Sequence, residues 1–181
     1  KNRIEELFKK AAEHYKGYSA LLGYDIWNET MFTSYDVHTL ALFRNWLQNK
    51  YHSIDKLNRV WDHTYTDWSQ IQFTKWLWAS VMPQVDYEEF HKDNIGILLN
   101  EWRSFINSVD RDHPVIADNI HSMVASDATY DRPHDDWTVA HNVDIFGVSF
   151  YPKVKPPFMS AATRWQIFAG ISSASGDRRF W

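Results

Sequence analysis

At positions 21–30 the chain reads LLGYDIWNET, a short apolar run that ends in an amide and a carboxylic acid. The apolar residues 21–26 predict a buried strand, within a strand region of 20–28, that carries Asn28 and Glu29 to its carboxyl end. In a (β/α) barrel this end of each strand holds the chemistry. Cleavage of a glycosidic bond requires such an acid, with a neighbouring group that holds a sugar hydroxyl. A solvated loop acid is the alternative interpretation of Glu29, and the tetrapeptide alone leaves both open.

Length and composition bound the class of protein. The 181 residues are 44% hydrophobic and 23% charged, which is typical of one globular domain with a real core. A net charge of −4 and a pI near 6.1 give no basic surface for nucleic acid. No apolar run has the length of a membrane span, and the first residues predict an amphipathic helix rather than a signal peptide. Because the chain lacks an initiator methionine, we expect a processed or excised piece.

The residue types favour carbohydrate over metal or cofactor chemistry. Cysteine is absent, which excludes disulfides and thiolate zinc sites. The nine histidines show no HExxH spacing, so we expect dispersed surface histidines, no metal and no cofactor. Ten Trp, nine Tyr and eleven Phe make up 17% of the chain. Most of these rings are expected in the core, but some could stack on the apolar faces of sugar rings.

Helices and strands are expected to alternate along the chain. Thr33 and Ser34 are candidate caps for the second helix and Ser53 for the third, while Asp86 opens a capping-box pattern for the longest helix. Segment 62–85 has no clean period and is expected to be a long aromatic loop. The predicted helices are 4–15, 36–50, 54–61, 86–110, 135–142 and 158–173, and the predicted strands are 20–28, 115–119, 143–151 and one that begins at 178.

This alternation predicts an α/β fold with a parallel sheet and outer helices. A complete (β/α)₈ barrel needs roughly 250 residues, so the chain has room for about half of one. A small doubly wound sheet and a segment of a barrel both remain open. No glycine-rich phosphate loop follows a predicted strand, which weakens a nucleotide-binding interpretation.

Several motifs in order along the chain resemble glycoside hydrolase family 42, the β-galactosidases. After the Asn-Glu pair, that family has a segment of the type FRxWLxxKYxxxxxLNxxW. The matching stretches here are FRNWL at 43–47, KY at 50–51, IDKLNRVW at 54–61, YTDW at 65–68, IADN at 116–119 and VSFYP at 148–152.

The resemblance implies a more specific fold. By it, the chain is a partial (β/α)₈ TIM barrel that contains roughly strands four to seven. An aromatic helical excursion, about residues 31–85, follows the fourth strand. Residues 1–181 then form a single fragment of a glycoside hydrolase catalytic barrel.

The resemblance also implies roles for the residues at the strand ends. Glu29 is the general acid/base of a retaining glycosidase, which protonates the departing oxygen and then deprotonates water. Asn28 holds the hydroxyl beside the reacting carbon. Tyr151 orients the partner carboxylate, and Asn119 contacts substrate. Purely structural interpretations stay open for the last two, a tyrosine that ends a strand and an asparagine in a turn.

The chain departs from the family pattern in three places. The family's nucleophile is a glutamate at the end of the seventh strand, which we expect just beyond Trp181, so the chain alone should be inactive. Segment 31–38 lacks the family's cysteine cluster, so no zinc is expected. The family's sugar-site tryptophan falls in a shorter segment here, where either Tyr65 or Trp68 is expected to take its place or the sugar subsite is expected to differ.

Two alternatives to a β-galactosidase fragment stay open at this point. One is another retaining β-glycosidase of similar barrel type, because the aromatic segment is shortened. The other is a non-catalytic carbohydrate-binding module that keeps only the aromatic surface. The expected partner is a β-galactoside, with no nucleic acid and no membrane. A half-barrel should also self-associate through its uncovered strand edges, and the resemblance implies a homotrimeric parent.

Overall fold

The computed structural model describes residues 2–73, 81–119 and 135–149, together with positions 166, 169–171, 173, 176 and 179–180. Positions 166, 169–171 and 173 are helical, within the predicted helix 158–173. The helices are α1 (Asn2–Tyr15), α2 (Val37–Tyr51), α3 (Ile54–Trp61), α4 (Met82–Asn107) and α5 (Asp136–Asn142), with a 3₁₀ helix at Trp68–Gln70, and the strands are β1 (Tyr24–Trp27), β2 (Val115–Asn119), β3 (Ile145–Val148) and β4 (Arg179–Phe180).

The strands form one parallel sheet in sequential order. Among the described residues it has four strands in the order β1-β2-β3-β4, and each neighbouring pair is parallel. The prediction of an α/β fold with a parallel sheet is confirmed. Sequential order is the arrangement of a barrel wall, whereas a doubly wound sheet reverses its order at a switch point. The described sheet therefore favours the barrel segment over the doubly wound alternative.

The chain divides into two compact units, and α4 begins in one and ends in the other. The first unit comprises Lys1–Phe32 and Asp93–Trp181 and contains the sheet. Helices α1, α4 and α5 bury their apolar sides with the strand residues that face them, as the predicted periodicity requires. The buried core of this unit consists of Ala12, Tyr24, Ile26, Ile95, Leu99, Ile106, Val115, Ala117, Val139, Ala140, Val143, Phe146 and Ile171.

The second unit, Thr33–Lys92, has a separate aromatic core. The carboxylate of Asp86 is fully buried there. It accepts hydrogen bonds from the Tyr51 hydroxyl at 2.6 Å, the Trp61 indole at 2.7 Å and the Lys50 ammonium at 2.8 Å. Burial and the neighbouring Asp86 charge raise the pKa of Tyr51 to about 12. Phe43, Leu47, Leu57, Ile71, Tyr87 and Phe90 complete this core.

The predicted cap of α2 and the predicted start of α4 are wrong. Helix α2 is capped by Asp36, whose carboxylate accepts the N–H groups of His38 and Thr39, and not by Thr33 or Ser34. Helix α4 begins at Met82, so Asp86 lies within it. The capping-box pattern failed at Asp86 because its carboxylate is used by the aromatic core instead of by backbone N–H groups. The cap at Ser53 is confirmed, since its hydroxyl accepts the Lys56 N–H.

Strands β1 and β3 begin later than predicted, whereas β2 has the predicted bounds, Val115–Asn119. Strand β1 covers only Tyr24–Trp27 of the predicted 20–28, because the Leu21 N–H is used in a turn to the Tyr18 carbonyl. Strand β3 begins at Ile145, not at residue 143, and residues 150–151 lie outside the described part. The predicted loop at 62–85 contains the 3₁₀ helix and the start of α4, with residues 74–80 outside the description.

Candidate active site

The Asn-Glu pair lies immediately after β1, at the carboxyl end of the parallel sheet. Asn28 is exposed, Glu29 is half-buried and Thr30 is fully buried. Glu29 has a φ of 53°, in the left-handed region that non-glycine residues adopt at a cost of about 1–3 kcal/mol. The backbone at the predicted proton donor is therefore strained, and the surrounding structure must hold it.

An irregularity in β1 precedes this strained residue. Asp25 pairs with Ile116 and Trp27 pairs with Ala117, so two steps along β1 correspond to one along β2. The extra residue is Ile26, which is buried in the core, and Trp27 also packs against that core. Its ring lies 4.9 Å from that of Trp102 on α4. Bulges of this kind occur next to active sites, where they re-aim the residues that follow.

Asp118, near the end of β2, contacts the Asn-Glu tip. Its Oδ1 accepts the Glu29 N–H at 3.0 Å, and its main-chain oxygen accepts the Thr30 N–H at 2.7 Å. The Thr30 hydroxyl donates to the same main-chain oxygen. The other carboxylate oxygen, Oδ2, accepts the Ser149 hydroxyl at 2.8 Å. Asp118 thus connects the ends of β1, β2 and β3.

A second carboxylate, that of Asp25, lies close enough to Asp118 to feel its charge. Partial burial, with a further contribution from the negative charge of Asp118, raises the pKa of Asp25, although the hydrogen bond from the Trp27 N–H opposes the shift. Like charges at short range raise the pKa of a carboxyl group. The sheet therefore concentrates acidic groups near the strand ends that carry Glu29.

Asn119 is placed beside this cluster but is closed off from solvent. Its side chain is fully buried, and its amide Nδ2 donates to Asp136 at the start of α5, at 2.6 Å. Its main-chain oxygen accepts the Ser149 N–H at 2.8 Å. Among the described residues, the amide oxygen has no hydrogen-bond partner. In this arrangement Asn119 ties β2 to α5 and β3, and its contact with substrate stays a prediction.

The other predicted sugar contacts, Tyr65, Trp68 and Tyr151, do not lie in the described part of the first unit, which contains the sheet. Tyr65 and Trp68 lie in the second unit, where both are half-buried against its aromatic core. Tyr65 is held by Asn58 through paired hydrogen bonds of 2.7 and 3.0 Å, and burial raises its pKa. Tyr151 lies outside the described residues. The roles of all three stay predictions.

Sequence reasoning named Asn28 and Glu29 but missed Asp118, which accepts the Glu29 N–H, and Ser149, which donates to Asp118. Asp118 and Ser149 stand in the motifs at 116–119 and 148–152, yet neither was assigned a role. The available signal was their position at the carboxyl ends of β2, which pairs with β1, and of β3, which pairs with β2, because the carboxyl ends of parallel strands meet at one edge of a sheet.

The chemistry that this cluster offers is proton transfer and hydrogen bonding. No group of three or more metal-binding side chains is found within the described residues. A cavity of about 630 Å³ lies elsewhere, at the amino ends of β2 and β3, lined in part by Arg103, Pro114 and Asp144. No helix in the described ranges is long and apolar enough to cross a membrane. Glu29, half-buried at the carboxyl end of β1, is the best candidate for a reactive group.

A family model described as β-galactosidase, for glycoside hydrolase family 42, matches residues 1–179. A β-galactosidase of Lactobacillus acidophilus is 26% identical over 92% of this chain and 26% of its own length. One from Planococcus is 27% identical over 93% of this chain and 26% of its own length. The chain thus spans about a quarter of the length of these relatives.

A solved structure gives the same picture of the fold. The crystal structure of the β-galactosidase from Bacillus circulans sp. alkalophilus superimposes with a TM-score of 0.80 at 22% identity, and covers 94% of this chain and 26% of that one. At this identity the likeness shows the fold alone. The parallel α/β architecture is that of the barrel enzymes of this family.

Proposed function

Because the chain belongs to glycoside hydrolase family 42, we propose that it is part of the catalytic barrel of a retaining β-galactosidase that hydrolyses terminal β-galactosides. It contributes roughly barrel strands four to seven, and the excursion follows the fourth. The observation that carries the proposal is Glu29 at the carboxyl end of β1, half-buried and with its N–H held by Asp118.

Glu29 acts as general acid/base in this proposal. In the first step its carboxylic acid donates a proton to the glycosidic oxygen as the bond to the anomeric carbon breaks. In the second step its carboxylate takes a proton from the water that releases the sugar. A half-buried carboxyl suits both steps, because it is partly desolvated yet reachable from solvent.

Asn28 is the neighbouring group that holds a sugar hydroxyl. It is exposed and adjacent to Glu29, so a bound sugar can reach its amide. Such a hydrogen bond strengthens as positive charge develops at the reacting carbon. Tyr151, Asn119, Tyr65 and Trp68 are further candidate contacts.

The retaining mechanism also needs a second carboxylate as nucleophile, roughly 5–5.5 Å from the first. By the family resemblance, that glutamate ends the seventh barrel strand and is supplied outside these 181 residues. The chain by itself then lacks half of the catalytic pair, and its glycosidase activity should be absent.

The test uses the longer protein of which this chain is proposed to be part. We expect Glu29→Gln to lower hydrolysis of lactose by about 10²–10⁴-fold, because general acid catalysis is lost. The matched control is Glu6→Gln, at an exposed position on α1, which should leave the rate unchanged. The 181-residue chain alone should not turn over nitrophenyl β-galactoside.

Two results would contradict the proposal. One is a full rate for Glu29→Gln in the longer protein. The other is turnover by the short chain that Glu29→Gln abolishes. Rates on a panel of β-glycosides separate the β-galactosidase from another retaining β-glycosidase, since the preferred sugar gives the highest kcat/KM.

A further inference from the structure

Asp118 accepts two hydrogen bonds from the segment that contains the proposed proton donor. Its carboxylate accepts the N–H of Glu29, and its main-chain oxygen accepts the N–H of Thr30. Two consecutive N–H groups of the strand tip are therefore held by one residue of the neighbouring strand. The acceptor of the Glu29 N–H is a carboxylate, and an ionised acceptor makes a hydrogen bond about twice as strong as a neutral acceptor does.

Asp118 is itself held in place from the opposite direction. Ser149, just after β3, donates its hydroxyl to Oδ2 of Asp118 at 2.8 Å. The Ser149 N–H also donates to the main-chain oxygen of Asn119 at 2.8 Å. Gly147 pairs with Asp118 across the strands, and a Cβ added to that glycine would lie 2.9 Å from the Cβ of Asp118. The side chain of Asp118 is thus confined by packing as well as by hydrogen bonds.

The residue that Asp118 holds is the strained one. The left-handed backbone of Glu29 (φ 53°) is less stable than the ordinary backbone regions. A hydrogen bond from its N–H to a carboxylate is among the stronger hydrogen bonds in proteins, so it offsets that strain. Without it, the backbone at Glu29 would relax toward φ below zero and carry its side chain to a new position.

We propose that Asp118 is a positioning residue for Glu29, which fixes the backbone of the proton donor so that its carboxyl group reaches the glycosidic oxygen. Asp118 does not touch the reacting atoms itself. This proposal rests on the proposed function and adds to it the residue that sets the geometry of acid catalysis. A displacement of about 1 Å at a catalytic group can lower a rate by 10²-fold.

The test exploits the leaving group of the substrate. A dinitrophenolate departs without a proton, so the bond-breaking step for a dinitrophenyl β-galactoside does not depend on the proton donor. Lactose has a poor leaving group and needs that proton. Loss of acid catalysis therefore lowers kcat/KM for lactose and spares kcat/KM for the dinitrophenyl substrate.

In the longer protein, we expect Asp118→Ala to lower kcat/KM for lactose by about 10- to 100-fold and for the dinitrophenyl substrate by less than about threefold. Asp118→Asn should recover most of the lactose activity, because the amide oxygen still accepts the Glu29 N–H. The matched control is Asp144→Ala. Asp144 pairs with Arg103 and accepts the Val115 N–H at 3.0 Å at the amino end of the sheet, so its loss should not depend on the leaving group.

An equal loss on both substrates for Asp118→Ala, or no loss on either, would overturn the proposal. So would an Asp118→Asn variant as impaired as Asp118→Ala. If Asp118→Ala does not fold, Ser149→Ala replaces it, since it loosens Asp118 and leaves the bonds to Glu29 and Thr30 intact. A decrease in kcat/KM for lactose alone, smaller than that expected for Asp118→Ala, supports the proposal. An equal decrease in kcat/KM for both substrates overturns it.

Glu29→Ala separates the two proposals. If it lowers lactose hydrolysis selectively while Asp118→Ala does not, only the positioning role fails. If Glu29→Ala shows no dependence on the leaving group, Glu29 is not the proton donor, and the proposed function fails together with the positioning role.

Discussion

At the scale of single residues, buried carboxylates have a larger part in this chain than the sequence patterns suggested. Asp86 matches a helix-start pattern and Asp110 lies where the longest helix was predicted to end, yet the structure buries both side chains. A buried carboxylate is tolerated only where donors surround it. The donors to Asp86, and the Tyr24 hydroxyl that donates to Asp110, come from distant positions, so no local pattern predicts them.

Asp110 shows how hydrogen-bond donors lower the pKa of a buried carboxyl group. It accepts hydrogen bonds from the Tyr24 hydroxyl at 2.7 Å and the Asp112 N–H at 3.0 Å, and pairs with His113 at 2.8 Å. Burial alone would raise the pKa of Asp110, but these hydrogen bonds outweigh it and hold the pKa below its usual value. Burial and the bond to Asp110 also raise the pKa of Tyr24 well above the ordinary value for tyrosine.

We predict that Asp110→Asn lowers the free energy of unfolding at pH 7 by roughly 1–3 kcal/mol, the size of a hydrogen bond network to a charged acceptor. A folded pKa below the unfolded value of about 3.9 means that the contribution of Asp110 is fully present above about pH 4. It is lost as the pH falls through the folded pKa. The difference in free energy of unfolding between Asp110→Asn and the unchanged protein should therefore become smaller below about pH 4. Urea denaturation from pH 7 to pH 3 measures it.

The matched control for this experiment is Asp112→Asn, at an exposed position two residues away. It should change the free energy of unfolding by less than about 0.5 kcal/mol, as exposed substitutions usually do. A difference at Asp110 that stays constant down to pH 3 would show that its charge does not stabilise the fold.

At the scale of secondary structure elements, the register of β1, β2 and β3 decides what the strand ends can do. The bulge at Ile26 shifts the residues after it by one position relative to β2. Strand β3 lies close to Asp118 because its residue opposite that side chain is Gly147. The close approach is available only to glycine, since any larger residue would bring a Cβ within 2.9 Å of the Asp118 Cβ.

We therefore predict that Gly147→Ala forces β3 or Asp118 to move and lowers the free energy of unfolding by about 1–3 kcal/mol, as overpacking usually does. Urea denaturation at neutral pH measures this decrease in the free energy of unfolding. Gly17→Ala is the matched control, because a Cβ at Gly17 would meet no atom within 4 Å. Equal stability of Gly147→Ala and the unchanged protein would refute the packing interpretation.

At the scale of the whole molecule, the chain consists of two units with separate cores. Among the described strands, β1 and β4 each have one hydrogen-bonded neighbour, so the sheet presents two edges. Exposed strand edges and apolar side chains promote association unless they are covered. Leu22, just before β1, is 71% exposed and belongs to this uncovered region.

We predict that the isolated 181-residue chain self-associates, with a mass by light scattering that rises above 21.5 kDa as concentration increases. Leu22→Lys should reduce this association, because charge beside a strand edge opposes pairing. Val60→Lys, at a 41% exposed apolar position on α3, controls for the added charge alone. A monodisperse monomer across the concentration range would contradict the prediction.

The local sequence determined the order and type of the elements. Apolar periodicity identified α1, the candidate cap Ser53 identified α3, and the apolar runs located β1, β2 and β3, because a helix start needs a cap and each element must bury one side against a core. The same reading placed Asn28 and Glu29 at a strand end. These features depend on residues that are close together in the chain, so local sequence patterns predict them.

Only the tertiary structure decided the strand register, the bulge, the left-handed backbone of Glu29 and its bond to Asp118, 89 residues away in sequence. It also decided that Asp86 and Asp110 are buried acceptors. These features arise where separate segments pack and desolvate one another, and the energy of a polar group there depends on donors from distant segments as well as on nearby ones.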